Sequence, residues 1–122
     1  METGDRNGCA AISRAELPAA ITTYLAAHQA RDGETAIGVF AADAVVTDEG
    51  RTHRGRDAIR AWLDGAASEY TYTTAFVGAT RTGDGRYDVV QHLEGDFPGG
   101  VVDLHFRFTV NGGAITGLVI EP

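Results

Sequence analysis

The chain has 122 residues, 43% hydrophobic, 8% aromatic and 22% charged, a length and composition that suit one domain with a buried core and argue against wholesale disorder. Its net charge of −7 repels polyanions, which argues against nucleic acid and acidic membrane surfaces as partners. The one cysteine, Cys9, leaves no intramolecular disulfide and no cysteine-built zinc site.

The start, METGDRNGCAAISRAEL, lacks a basic segment followed by a long apolar run, so it does not read as a secretory signal. No stretch approaches the roughly 18 apolar residues of a spanning helix. The expectation is a soluble, cytoplasmic protein.

Residues 1–14 read as a mobile polar tail, and 15–122 as the domain. Ser13 and Glu16 stand at capping-box spacing, and Pro18 fits a first helical turn. Leu17, Ile21, Tyr24, Leu25 and His28 then recur at helical spacing, which predicts a helix of about four turns with one face inward. Arg31-Asp32-Gly33 ends it, with Asp32 placed to cap a second, short helix carrying Ile37, Phe40 and Ala41 on one side. Ala44 to Glu49 predicts a strand, and Glu49-Gly50 its turn. Gly55 precedes a third helix with Ile59, Trp62 and Leu63 on one face, and Gly65 marks its expected end.

The remainder reads as β. Strands are expected over 70–80, 87–94, 101–110 and 114–120, separated by turns at Thr82 to Gly85, Phe97 to Gly100 and Asn111 to Gly113. In the third of these, Val102, Leu104, Phe106, Phe108 and Val110 share one face, and Asp103, His105 and Arg107 the other. Helices first and strands after argue for an α+β fold with a mostly antiparallel sheet.

Three blocks in this order resemble the nuclear-transport-factor-2-like superfamily, in particular its SnoaL-like group of polyketide cyclase and ketosteroid isomerase-like domains. They are FAADAVVTDEG, HRGRDAIRAWL and the ending FPGGVVDLHFRFTVNGGAITGLVIEP. The resemblance spans about Leu17 to Pro122. It implies a cone-like half-barrel, in which a strongly bent, mostly antiparallel sheet and three N-terminal helices enclose a small-molecule pocket. It also implies a homodimer paired through the sheet. The superfamily is functionally mixed, so fold alone does not choose an activity.

Tyr24 and Asp48 look like the hydrogen-bond donor and the general base of a ketosteroid isomerase, whose pairing of a carboxylate base with an oxyanion donor is a standard example of tuned acid–base chemistry. A fixed donor stabilises charge as it develops on an oxygen, and the carboxylate removes a proton from the neighbouring carbon. The isomerase's second, protonated aspartate has no match. Leu104 precedes His105-Phe106-Arg107-Phe108, and Asp103 is one residue off, hence on the other face unless a β-bulge returns it.

The residues themselves leave alternatives open. Tyr24 reads equally as a core aromatic. Asp48 reads as a turn carboxylate. His28, one turn after Tyr24, is either a helper to Asp48 or a half-buried histidine at a helix C-terminus. His92 and Glu94 share a strand face that is either concave or outer, because Val89, Gln91 and Leu93 form an equally mixed face. Asp103, His105 and Arg107 are expected on the outer or dimer-facing side as ion pairs. His53 reads as an exposed turn residue with the pocket rim as the other option, and Trp62 as core.

The candidate set is therefore Asp48, Tyr24 and His28 for catalysis, and Phe40, Trp62, His92, Leu104 and Phe106 for substrate contact. No metal-ligand spacing, nucleophile elbow or phosphate loop is present, so neither a metal nor an organic cofactor is expected. The resulting expectation is a pocket for a small apolar molecule. It performs cyclase, isomerase or dehydratase chemistry, or serves as a non-catalytic binding or dimeric assembly domain.

Overall fold

The computed structural model describes residues 10–69 and 71–122, with side chains at all of these except 66–69. Cys9, most of the expected tail and Tyr70 lie outside the described residues.

Seven strands form one sheet: β1 (Ala10–Ile12), β2 (Phe40–Asp48), β3 (Arg51–Arg54), β4 (Tyr72–Gly83), β5 (Arg86–Gly95), β6 (Val101–Asn111) and β7 (Ala114–Glu121). Three helices precede β4: α1 (Ala19–Ala30), α2 (Gly33–Ile37) and α3 (Gly55–Glu69). The sheet order is β1-β4-β5-β6-β7-β2-β3, open at both edges. Every neighbouring pair is antiparallel except β2 and β7, which run parallel. The architecture is mixed α+β.

The chain departs from the sequence reading at four boundaries. The end of the expected tail is not free, because Ala10–Ile12 adds an edge strand to β4, setting Ile12 opposite Ala79. A three-residue strand is too short to show alternation in sequence. Phe40 and Ala41 belong to β2 and not to α2, which ends at Ile37. β3 intervenes where a turn was expected at His53. α3 passes through Gly65 to Glu69, since a mid-helix glycine costs only about 1 kcal/mol and ends a helix reliably only in a left-handed cap.

Other local signals act as their chemistry dictates. The Glu16 carboxylate accepts from the Ser13 backbone N–H at 2.8 Å, although the capped segment is a single 3-10 turn ahead of α1. Arg31 closes α1 in the left-handed region at φ 56°. Asp32 caps α2 by accepting from the Thr35 N–H at 3.2 Å and the Thr35 hydroxyl at 2.6 Å.

The core lies between the helices and one face of the sheet. Ile21, Tyr24 and Leu25 of α1 and Ile59 and Leu63 of α3 pack into a cluster with Val89, Phe106, Phe108, Ile115 and Leu118. Tyr24 meets Phe40 and Phe108 edge-on, at ring separations of 5.8 and 5.5 Å. Parallel pairing sets Asp48 opposite Ile120, so β2 and β7 end together at one end of the sheet. No described helix is long and apolar enough to cross a membrane.

Candidate active site

Asp48 is the last residue of β2. It enters a tight hairpin in which Glu49 and Gly50 both take positive φ, 52° and 75°. That is the backbone geometry a two-residue turn needs to match the twist of its strands, and β3 then pairs Arg51 with Asp48. The turn fixes Asp48 at the strand end. α3 completes the arrangement: the Trp62 indole Nε1–H donates to Asp48 Oδ2 at 3.0 Å. Oδ1 has no partner among the described residues.

α1 approaches from the other side. His28 lies one turn after Tyr24, and the two rings stack at 5.7 Å with only 10° between their planes. His28 Nε2 is 3.1 Å from the Tyr72 hydroxyl of β4. Burial lowers the pKa of His28 from 6.5 to about 4, with the Arg31 cation adding to the shift, so the imidazole is neutral at pH 7. Burial pushes the Tyr24 phenol far above its ordinary range, and Tyr72 and Asp48 push it further. The Tyr72 phenol is also raised, by burial first; Arg31 opposes that and Asp48 reinforces it.

Between these groups a cavity of about 920 Å³ opens to solvent. Its polar wall includes Asp48, Trp62, His28 and Tyr72, with Arg51, Glu121 and His53, which takes the rim position, and Leu104 and Phe106 form part of its apolar one. A carboxylate, a phenol and a neutral imidazole around an apolar space form a set suited to moving a proton beside a polarised oxygen. Among the described residues, no three or more His, Cys, Asp and Glu side chains converge to hold a metal.

A model of the SnoaL-like domain family matches residues 21–118, most of the chain. The chain belongs to the SnoaL-like family. Among solved structures, this SnoaL-like domain is similar to a Sinorhizobium meliloti protein named as a candidate polyketide cyclase. The two share 33% identity over 90% of this chain and 100% of that one, with a TM-score of 0.84. A Catenulispora acidiphila protein of ketosteroid isomerase-like fold, solved with trimethylamine, shares 21% identity over 86% of this chain and 85% of its own, with a TM-score of 0.75. A Mycobacterium tuberculosis protein solved with estradiol-17β-hemisuccinate shares 21% identity over 84% of this chain and 90% of its own, with a TM-score of 0.70. At 21% identity the last two show the fold alone. A search of the curated proteins finds no match.

Within the SnoaL-like domain, the residues singled out from sequence divide into two groups. Asp48, His28, Trp62, Leu104 and Phe106 come together on the cavity wall. Tyr24, Phe40 and His92 do not reach it. Tyr24 is fully buried beneath His28, and its hydroxyl has no hydrogen-bond partner among the described residues. Phe40 is also fully buried, and the Arg56 guanidinium holds its carbonyl with bonds of 3.0 and 2.7 Å.

His92 faces outward between two carboxylates, Asp103 at 2.5 Å and Glu94 at 2.8 Å. The β5–β6 register is unbroken around His92–Asp103, so no bulge turns Asp103 inward. His105 and Arg107 share that outer face. His105 bonds Asp88 at 2.9 Å, and Arg107 pairs with Asp88 and Glu121.

Tyr72, Leu93 and Val102 are among the cavity residues outside that candidate set. Tyr72 carried no periodic signal, because only the packing of α1 against β4 brings it to His28. Leu93 and Val102 line the cavity as a cross-strand pair. The apolar face of β6 pointed to both, once β5 was paired in the correct register.

Proposed function

We propose that this SnoaL-like domain performs cofactor-free acid–base chemistry of the cyclase, isomerase or dehydratase type on a small apolar carbonyl or hydroxyl compound. The observation that carries the reading is the Asp48 carboxylate, held through one oxygen by Trp62 with the other left for a substrate in an apolar-walled cavity. Asp48 Oδ1 takes a proton from the carbon beside a carbonyl, and the electron pair moves onto the carbonyl oxygen, where a wall donor stabilises it. The protonated Asp48 then returns the proton to the same or a neighbouring carbon. The likeness to the Sinorhizobium meliloti protein supports this class of chemistry.

The test uses β-tetralone, an apolar ketone with acidic α-protons, in heavy water. NMR follows replacement of those protons by deuterium. The wild type is expected to accelerate exchange over buffer, and Asp48→Asn to remove a factor of about 10²–10⁴ of that acceleration while remaining folded. Binding without accelerated exchange would favour the second reading, a non-catalytic ligand-binding domain. The cavity volume and the steroid conjugate on the Mycobacterium tuberculosis protein support that alternative.

A further inference from the structure

We infer that Tyr72, and not Tyr24, is the hydrogen-bond donor of the cavity, and that His28 holds it in that role by donating its Nε2–H to the Tyr72 phenol oxygen. The ligand group that fits is an acceptor oxygen: a ketone, an enol or a phenolate. The inference rests on the cavity being a ligand site, as proposed above.

A neutral His28 carries one N–H, on either of its two nitrogens. Nε2 is 3.1 Å from Tyr72 Oη, and Nδ1 is buried with no partner among the described residues. If Nδ1 carries the hydrogen, a donor is stranded in the interior and Tyr72 spends its own proton on Nε2. If Nε2 carries it, His28 donates to Tyr72, and all that is stranded is a lone pair on Nδ1. Buried N–H groups without a partner are rarer than under-used acceptors, so the second arrangement is favoured.

It leaves the Tyr72 proton free. No second protein partner for Tyr72 Oη exists among the described residues, and the residue lines the cavity. A phenol that accepts a hydrogen bond is polarised into a stronger donor. Tyr24 has no such outlet, since its hydroxyl is sealed under the His28 ring.

Tyr72 is also held in place. The Arg31 guanidinium lies 5.1 Å from its ring centre and donates to its backbone carbonyl at 3.0 Å. Phe97 meets the ring edge-on at 6.5 Å. Opposite it in the sheet stands Gly95, where a Cβ would fall 2.5 Å from Tyr72 Cβ and against the Thr71 carbonyl. Only glycine lets the two strands approach this closely.

The deciding experiment is a long-range ¹H–¹⁵N correlation on the full chain with ¹⁵N-labelled histidine at pH 7, with His28 assigned by its loss in His28→Asn. The expected result is the Nε2–H tautomer, and the Nδ1–H tautomer overturns the proposal whether or not any probe binds. A second arm measures β-naphthol affinity by fluorescence. Tyr72→Phe is expected to weaken binding about tenfold, and Tyr24→Phe to leave it within about twofold. The reverse ranking also overturns the proposal. A wild type with the Nε2–H tautomer that binds neither β-naphthol nor β-tetralone sinks the ligand-site reading, and the inferred donor role with it.

Discussion

At the residue scale, the site is governed by burial and not by charge count. Tyr24 and His28 sit one helical turn apart, yet only His28 reaches the cavity, and its neutrality follows from desolvation next to Arg31. That has a consequence for stability. Unfolded, His28 takes a proton near its ordinary 6.5; folded, it resists until about pH 4. Its contribution is therefore complete above pH 6.5, falls as pH drops toward 4, and changes little below that. The swing amounts to as much as ~3 kcal/mol. Exposed His92 acts in the opposite direction, because Asp103 and Glu94 raise its pKa. The two separate cleanly in a difference measurement. Urea unfolding at pH 7 and pH 4.5 should show a smaller loss of stability in His28→Gln than in the wild type, and equal losses would refute the burial account.

At the element scale, the decisive piece is the start of β2. Phe40 enters the core between Tyr24 and the Arg56 anchor, and the β2–β7 register shifts between Phe40 and Val45. A shift of this kind strengthens local twist and re-aims the strand, which from Val45 on runs regularly to Asp48. Phe40 thus helps to position Asp48 without lining the cavity. Phe40→Ala should cost about 3–5 kcal/mol in denaturant unfolding, as a fully buried aromatic does. Below the transition, the folded variant should still bind β-naphthol. Loss of β-naphthol binding with stability unchanged would make Phe40 a ligand contact after all.

At the scale of the whole molecule, the sheet has two unlike faces. The inner one carries the core and the cavity. The outer one carries paired charges, His92 with Asp103 and Glu94, and Asp88 with His105 and Arg107. Val101 stands beside them, 58% exposed. We propose this face as the contact of a homodimer, since exposed Val101 stands there among charged side chains that already have partners within one chain. A dimer ties stability to concentration. The Tm should rise over about a hundredfold increase in protein, with sedimentation at twice the monomer mass. An unchanging Tm and a monomer in sedimentation would discard the dimer.

The sequence by itself determined the α+β class, the strand alternation of β6, the capping of α2 by Asp32 and the placement of Asp48 at a strand end. Each of these is a local matter of periodicity or turn chemistry, written within a few neighbouring residues. It also brought Asp48, His28, Trp62, Leu104 and Phe106 into one candidate set, partly through a family resemblance. Tertiary structure alone decided which face of β5 looks inward, and hence that His92 is outside and Leu93 inside. Alternation fixes that two faces exist, but only the register against β6 says which one the helices cover. Tertiary structure likewise sent Phe40 and Tyr24 to the core and brought Tyr72, 44 residues along the chain from His28, within hydrogen-bonding distance of it. Contacts of that separation leave no periodic trace, because they arise from the packing of a helix on a sheet and not from any property of the intervening chain.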